Sequence, residues 1–163
     1  MKNIFLNIFL ITFVLFTSCK DKTKTIPING SSTSEVILKQ EINIDYAPIY
    51  LSPKAKPIIS NWKEYIDVQK KVYDLKNTDT VKLNEQLDEL DDLISKLLNS
   101  QFPTKLQTHL FERKLYLLGE SVSDLRNLLG KENISIDDIK KRVFKIIEDY
   151  SSSKNQINAI YGG

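Results

Sequence analysis

Few side chains in this sequence combine the types and spacing that chemistry needs. His109 is the only histidine and Cys19 the only cysteine, so a zinc site of the usual nitrogen and sulfur type has too few ligands. A haem ligand would have to be His109 or Met1. Asp88, Glu89, Asp91 and Asp92 crowd one segment, and carboxylate clusters hold calcium. Glu89 and Asp92 share one helical face, however, and Asp88 and Asp91 another, and the glycine-containing calcium loop is missing. A solvated helix face is the expectation there, as it is for Glu112 and Glu120 among their lysines and arginines. Di-iron bundles use Glu-x-x-His pairs, and the sequence has none. With no Ser-His-Asp order and no glycine loop to cradle a phosphate, the expectation is a chain that is not an enzyme, with no catalytic, cofactor-binding or metal residue.

The segments that would position such residues read mostly as helices. Five glycines and five prolines in 163 residues are few for a fold of many short strands. Ile58, Trp62, Tyr65 and Val72 recur at three-to-four spacing and predict a helix over about 54–76, with Gln69 interrupting its apolar stripe. Leu83, Leu87, Leu90, Ile94 and Leu97 give the cleanest stripe, preceded by the cap-forming Asn77-Thr78-Asp79-Thr80. Pro103 suits the first turn of a third helix. Its stripe is Phe111, Leu115, Leu118, Val122, Leu125 and Leu129, and Gly130 stands where a left-handed cap is wanted. Ser135 opens a fourth stripe through Ile139, Val143, Ile146, Tyr150, Ser153, Ile157 and Ile160, with acids at the positive end of the helix dipole.

Short connections make such helices antiparallel neighbours. The expected fold class is all-α, an up-and-down antiparallel four-helix bundle over 54–163, with a three-helix bundle or an elongated helical hairpin as alternatives. Before it, residues 36–53 alternate at Ile42, Ile44 and Tyr46. One strand would find no ladder partner, so an extended strap along the helices is expected. Trp62, Tyr65, Tyr73, Phe111, Tyr116 and Tyr150 sit at helical spacing and read as core in preference to a ligand pocket.

The first 18 residues are of another kind. Met1-Lys2-Asn3 is short and positive, and Ile4 to Phe16 is an apolar run of about 20 Å as helix, too short to span a bilayer. It ends in Phe16-Thr17-Ser18-Cys19 and is followed by Lys20-Asp21-Lys22-Thr23-Lys24. This pattern resembles the lipobox of bacterial lipoproteins, of the Bacteroidetes type, although Phe16 stands where leucine is usual. The resemblance implies a signal peptide over 1–18, lipidation of Cys19, a flexible tether over 19–35, and attachment to the membrane of the cell envelope, the outer membrane being expected. Lys20-Asp21 partly matches surface-sorting signals of such proteins. Asp79-Thr80-Val81 resembles their short acceptor for O-linked sugars, which makes Thr80 a candidate glycosylation site and, equally, a helix cap. The mature domain resembles no characterised family.

Lysine and arginine number 23 against 21 acids, a balance that excludes nucleic acid as an expected partner. The expected role is a lipid-anchored, non-enzymatic module that binds an envelope protein or serves as structure. A carrier of a small apolar ligand between the first and fourth helices, and an envelope inhibitor or immunity protein, are the alternatives.

Overall fold

The computed structural model describes residues 40–162, which are mostly helical with one small sheet. The leader, Cys19, the tether and the first residues of the strap lie outside the described residues. The elements in order are β1 (Glu41–Asn43), α1 (Lys56–Ile59), α2 (Lys63–Asp74), β2 (Asn77–Asp79), α3 (Thr80–Leu98), a single 3₁₀ turn (Thr104–Leu106), α4 (His109–Leu129) and α5 (Ile136–Tyr161).

The long helices begin where capping side chains stop the backbone donors from going unpaired. Asp79 accepts the N–H of Lys82, Thr108 that of Phe111, and Ser135 that of Asp138. Each helix buries its predicted stripe: Leu83, Leu87, Leu90 and Leu97 of α3, Leu115, Leu118 and Val122 of α4, and Val143, Ile146 and Ile157 of α5 are without exposed surface. Cross-helix pairs run in opposite numerical order, which makes neighbours antiparallel. Lys71 pairs with Glu89 and Trp62 with Ser100. Asp88 pairs with Arg126, while Ile94 lies against Gly119. Asp124 pairs with Arg142 and Ser121 with Asp149. Tyr65 meets Ser153 and Gln69 meets Tyr150, which brings α2 back against α5.

Four expectations are corrected. The helix foreseen over 54–76 is two helices, because Ser60 and Asn61 turn their side chains back to the Pro57 carbonyl, at 3.2 and 3.0 Å, and compete with the helical ladder. The strap does contain a strand with a partner: β1 pairs antiparallel with β2, Ile42 opposite Thr78. That partner was hidden in residues that read only as a helix cap. Pro103 does not open the third helix but precedes the 3₁₀ turn, and the helix waits for the Thr108 cap. Gly130 closes α4 in right-handed geometry, φ −79°, whereas the positive φ of this connection, 59°, belongs to Asn133, a residue type that tolerates it.

From β1 the strap climbs the seam between α2 and α5. Ile44 N–H bonds to the Lys76 carbonyl, the Tyr46 ring meets Phe144 edge-on at 5.9 Å, and Ile49, Tyr50 and Ser52 are held by α5. The chain then passes through α1 over the end of the molecule to Trp62 and descends as α2.

Candidate functional site

The densest polar chemistry among the described residues lies under this strap, on the last three turns of α5. Ser153 is fully buried and sits where the apolar stripe was interrupted. Its hydroxyl donates to the Tyr150 carbonyl at 2.6 Å, so Tyr65, 2.7 Å away, must be the donor to it. The Tyr150 hydroxyl donates to Gln69 Oε1 at 3.0 Å. The two polar interruptions of the stripes, Gln69 and Ser153, are thus the acceptors for two buried phenols.

Next to Ser153 is Lys154, only 4% exposed. Its Nζ donates to the Tyr73 phenol oxygen at 2.8 Å and to the Ile49 carbonyl at 3.2 Å, and stands 5.0 and 5.2 Å from the ring centres of Tyr73 and Tyr150. Burial lowers the pKa of this amine from 10.5 to about 8, since a low dielectric disfavours the charged form. The rings give back part of that loss through cation–π attraction. When the amine is neutral its two N–H groups are matched by the two acceptors. Burial acts the other way on the phenols: it raises Tyr65, Tyr150 and Tyr73 above the ordinary tyrosine range, with neighbouring tyrosines adding to the shift of Tyr150 and Tyr73.

One turn on, Asn158 holds the strap from both sides. Its amide donates to the Tyr50 carbonyl and its oxygen accepts the Ser52 N–H, each at 2.8 Å. Tyr50, whose backbone is so tightly held, is as a residue 78% exposed. These donors close the seam: the Lys154 amine ties α5 to the strap backbone and to Tyr73, and the Tyr65 and Tyr150 hydroxyls tie α2 to α5.

The residues singled out from sequence are scattered. His109 is fully exposed at the start of α4, 3.7 Å from Glu112. Asp88 and Asp91 both face Arg126, at 2.9 and 3.3 Å, and Glu89 pairs with Lys71. Thr80 is 4% exposed in the first turn of α3, where Asp79 is the cap, so a sugar on its hydroxyl would have to be added before the chain folds. Tyr116 is exposed, unlike the other five aromatics grouped with it. Sequence reasoning passed over Lys154 and the Ser121–Asp149 pair. The available signal was the polar run Ser151 to Asn155, which occupies a full turn, core-facing positions included, of an otherwise apolar stripe.

Comparison with protein-family models, with curated proteins and with solved structures finds no match. The fold and the residues themselves therefore carry the functional reading. No helix among the described residues is long and apolar enough to cross a membrane.

Proposed function

We propose that this chain is a lipid-anchored protein of the bacterial cell envelope, held through Cys19, most naturally to the outer membrane. Its helical part is an up-and-down four-helix bundle that acts without catalysis, as a protein-binding or structural module. The lipobox-like Phe16-Thr17-Ser18-Cys19 supports the address. On the side of the fold, one observation carries the reading: Lys154 fastens the strap to α5 through the Ile49 carbonyl, and Lys154 and the three tyrosines fasten α2 to α5. A binding module needs a rigid surface, and such closure supplies it.

The carrier reading draws less support. It needs space between α2 and α5, and that seam is filled by Tyr65, Tyr150 and Ser153, all fully buried. Two clefts of about 440 and 590 Å³ lie elsewhere, against Tyr116 and Gly119 and against Phe102 and His109.

Intact mass of the membrane-extracted protein beside a Cys19→Ala control tests the address. The expected mass is that of the chain from Cys19 onward with glyceryl and acyl groups, absent in the control. An unlipidated mass would overturn the anchor and return Cys19 to the free thiols.

A further inference from the structure

Three stretches of the chain, 46–63, 93–111 and 150–163, contain none of its 21 aspartates and glutamates. They are far apart in sequence, yet apart from the first residues of 46–63, which run up the seam from Lys76, the fold gathers their described parts at one end of the molecule. Trp62 donates to Ser100 at 3.1 Å and its ring lies 5.3 Å from that of Phe102. Asn158 holds Tyr50 and Ser52, and Lys105 stands 5.6 Å from the Tyr161 ring centre. The exposed lysines of this end are Lys54, Lys56, Lys63, Lys96 and Lys105, and two of the large exposed apolar side chains, Tyr50 and Leu110, belong to it as well. The acids bordering it include Glu64, Asp67, Asp92 and Glu112; Asp67 pairs with Lys63, Glu112 lies beside His109, and Asp92 is one turn before Lys96 on α3. The far end, at β1, β2 and the α4–α5 connection, balances Glu41, Asp79, Glu132, Asp137 and Asp138 with Lys76, Lys82, Lys131, Lys140 and Lys141. A molecule that is almost neutral overall thus gathers a surplus of positive charge at one end.

We infer that the acid-free end rests on an anionic phospholipid surface, with its lysines among the phosphates and Tyr50 and Leu110 at headgroup depth. This deepens the lipid-anchor reading and rests on it. Tyrosine is suited to that depth because its ring is apolar and its hydroxyl polar, and lysine stems let the ammonium reach the phosphates. Attraction of about 1 kcal/mol per lysine near such a surface is about fivefold in the docked population for each. The clamp on the strap backbone presents Tyr50 without further ordering cost. The geometry is attainable: residues 20–39 between Cys19 and the described chain have a contour of up to roughly 70 Å, while the 26 residues of α5 span about 39 Å.

The test uses the mature lipidated protein in vesicles of equal phosphatidylethanolamine and phosphatidylglycerol with brominated acyl chains. Trp62 is buried and gives the baseline. Tryptophan is introduced by Tyr50→Trp at the acid-free end and by Val81→Trp, also at an exposed site, at the other. Quenching is expected for Tyr50→Trp and not for Val81→Trp. It should disappear in phosphatidylcholine vesicles, and the combined Lys54→Gln, Lys56→Gln and Lys105→Gln substitution should lower the docked population about a hundredfold. Equal quenching at both sites, none at either, or quenching indifferent to the lysines would overturn the inference. The mass of the same preparation reports the lipid separately, so loss of the anchor and loss of the docked orientation are read apart.

Discussion

Asn158 accepts the backbone N–H of Ser52 at 2.8 Å, across 106 positions of sequence. With its amide on the Tyr50 carbonyl, this one side chain fixes the strap where it leaves the seam between α2 and α5. Replacing Asn158 with Ala leaves a part-buried N–H and a carbonyl without these partners, at a cost of about 1–3 kcal/mol. The loss should be local. Hydrogen exchange of the Ser52 amide is expected to accelerate while amides in the middle of α3 and α4 keep their protection; uniform acceleration along the chain would mean that the strap and the helices unfold as one unit.

Lys154 predicts an unusual pH profile. Its folded pKa of about 8 lies below its ordinary 10.5, so from about pH 8 to 10.5 the unfolded chain binds more protons and stability rises with pH. The penalty for burying the ammonium is complete below about pH 8. The raised tyrosines act oppositely: above about pH 10 the folded chain keeps phenol protons that the unfolded chain releases, and stability falls. Urea unfolding across this range should therefore show a maximum between about pH 8 and 10. In Lys154→Met the rise toward that maximum should flatten and the fall beyond it should remain.

Gly119 lies inside α4, and a methyl group there would meet Ile94 Cγ2 at 3.7 Å, an ordinary contact. Glycine inside a helix costs about 1 kcal/mol relative to alanine. Gly119→Ala should accordingly raise stability by about 0.5–1 kcal/mol, seen as a higher urea midpoint with unchanged slope.

Leu90 is fully buried on α3 and Leu110 is 53% exposed on α4. Leu90→Ala removes packed core and should cost about 2–5 kcal/mol; Leu110→Ala should change stability by no more than about 0.5 kcal/mol. Thermal unfolding of both variants separates the two cases, and a large loss from Leu110→Ala would place that side chain in the core.

The cap of α3 offers a fifth comparison. Asp79 accepts the Lys82 N–H at 2.9 Å while its backbone lies opposite Glu41 in the sheet. Asp79→Ala should cost about 1 kcal/mol, and Asp79→Asn, which keeps an acceptor, should recover most of it by chemical denaturation.

The sequence alone determined the parts of this protein that depend on near neighbours. Apolar side chains at three-to-four spacing, with cap-forming residues at Asp79 and Ser135, were enough to locate α3, α4 and α5, though not the start of α4 at Thr108, because helical periodicity and capping act within a turn or two. The lipobox-like segment ending at Cys19 is equally local. Tertiary structure alone decided what depends on residues brought together from afar. Thr78 could not be read as the ladder partner of Ile42, because a three-residue strand leaves almost no pattern. Ser60 and Asn61 were unremarkable until their side chains turned back on Pro57. Ser153 and Lys154 read as a flaw in a stripe until Tyr65, Tyr73 and the Ile49 carbonyl arrived to satisfy them, and only burial moves the lysine toward neutrality. The three acid-free stretches are visible as letters, but a charge pattern becomes a surface only when packing sets its pieces side by side.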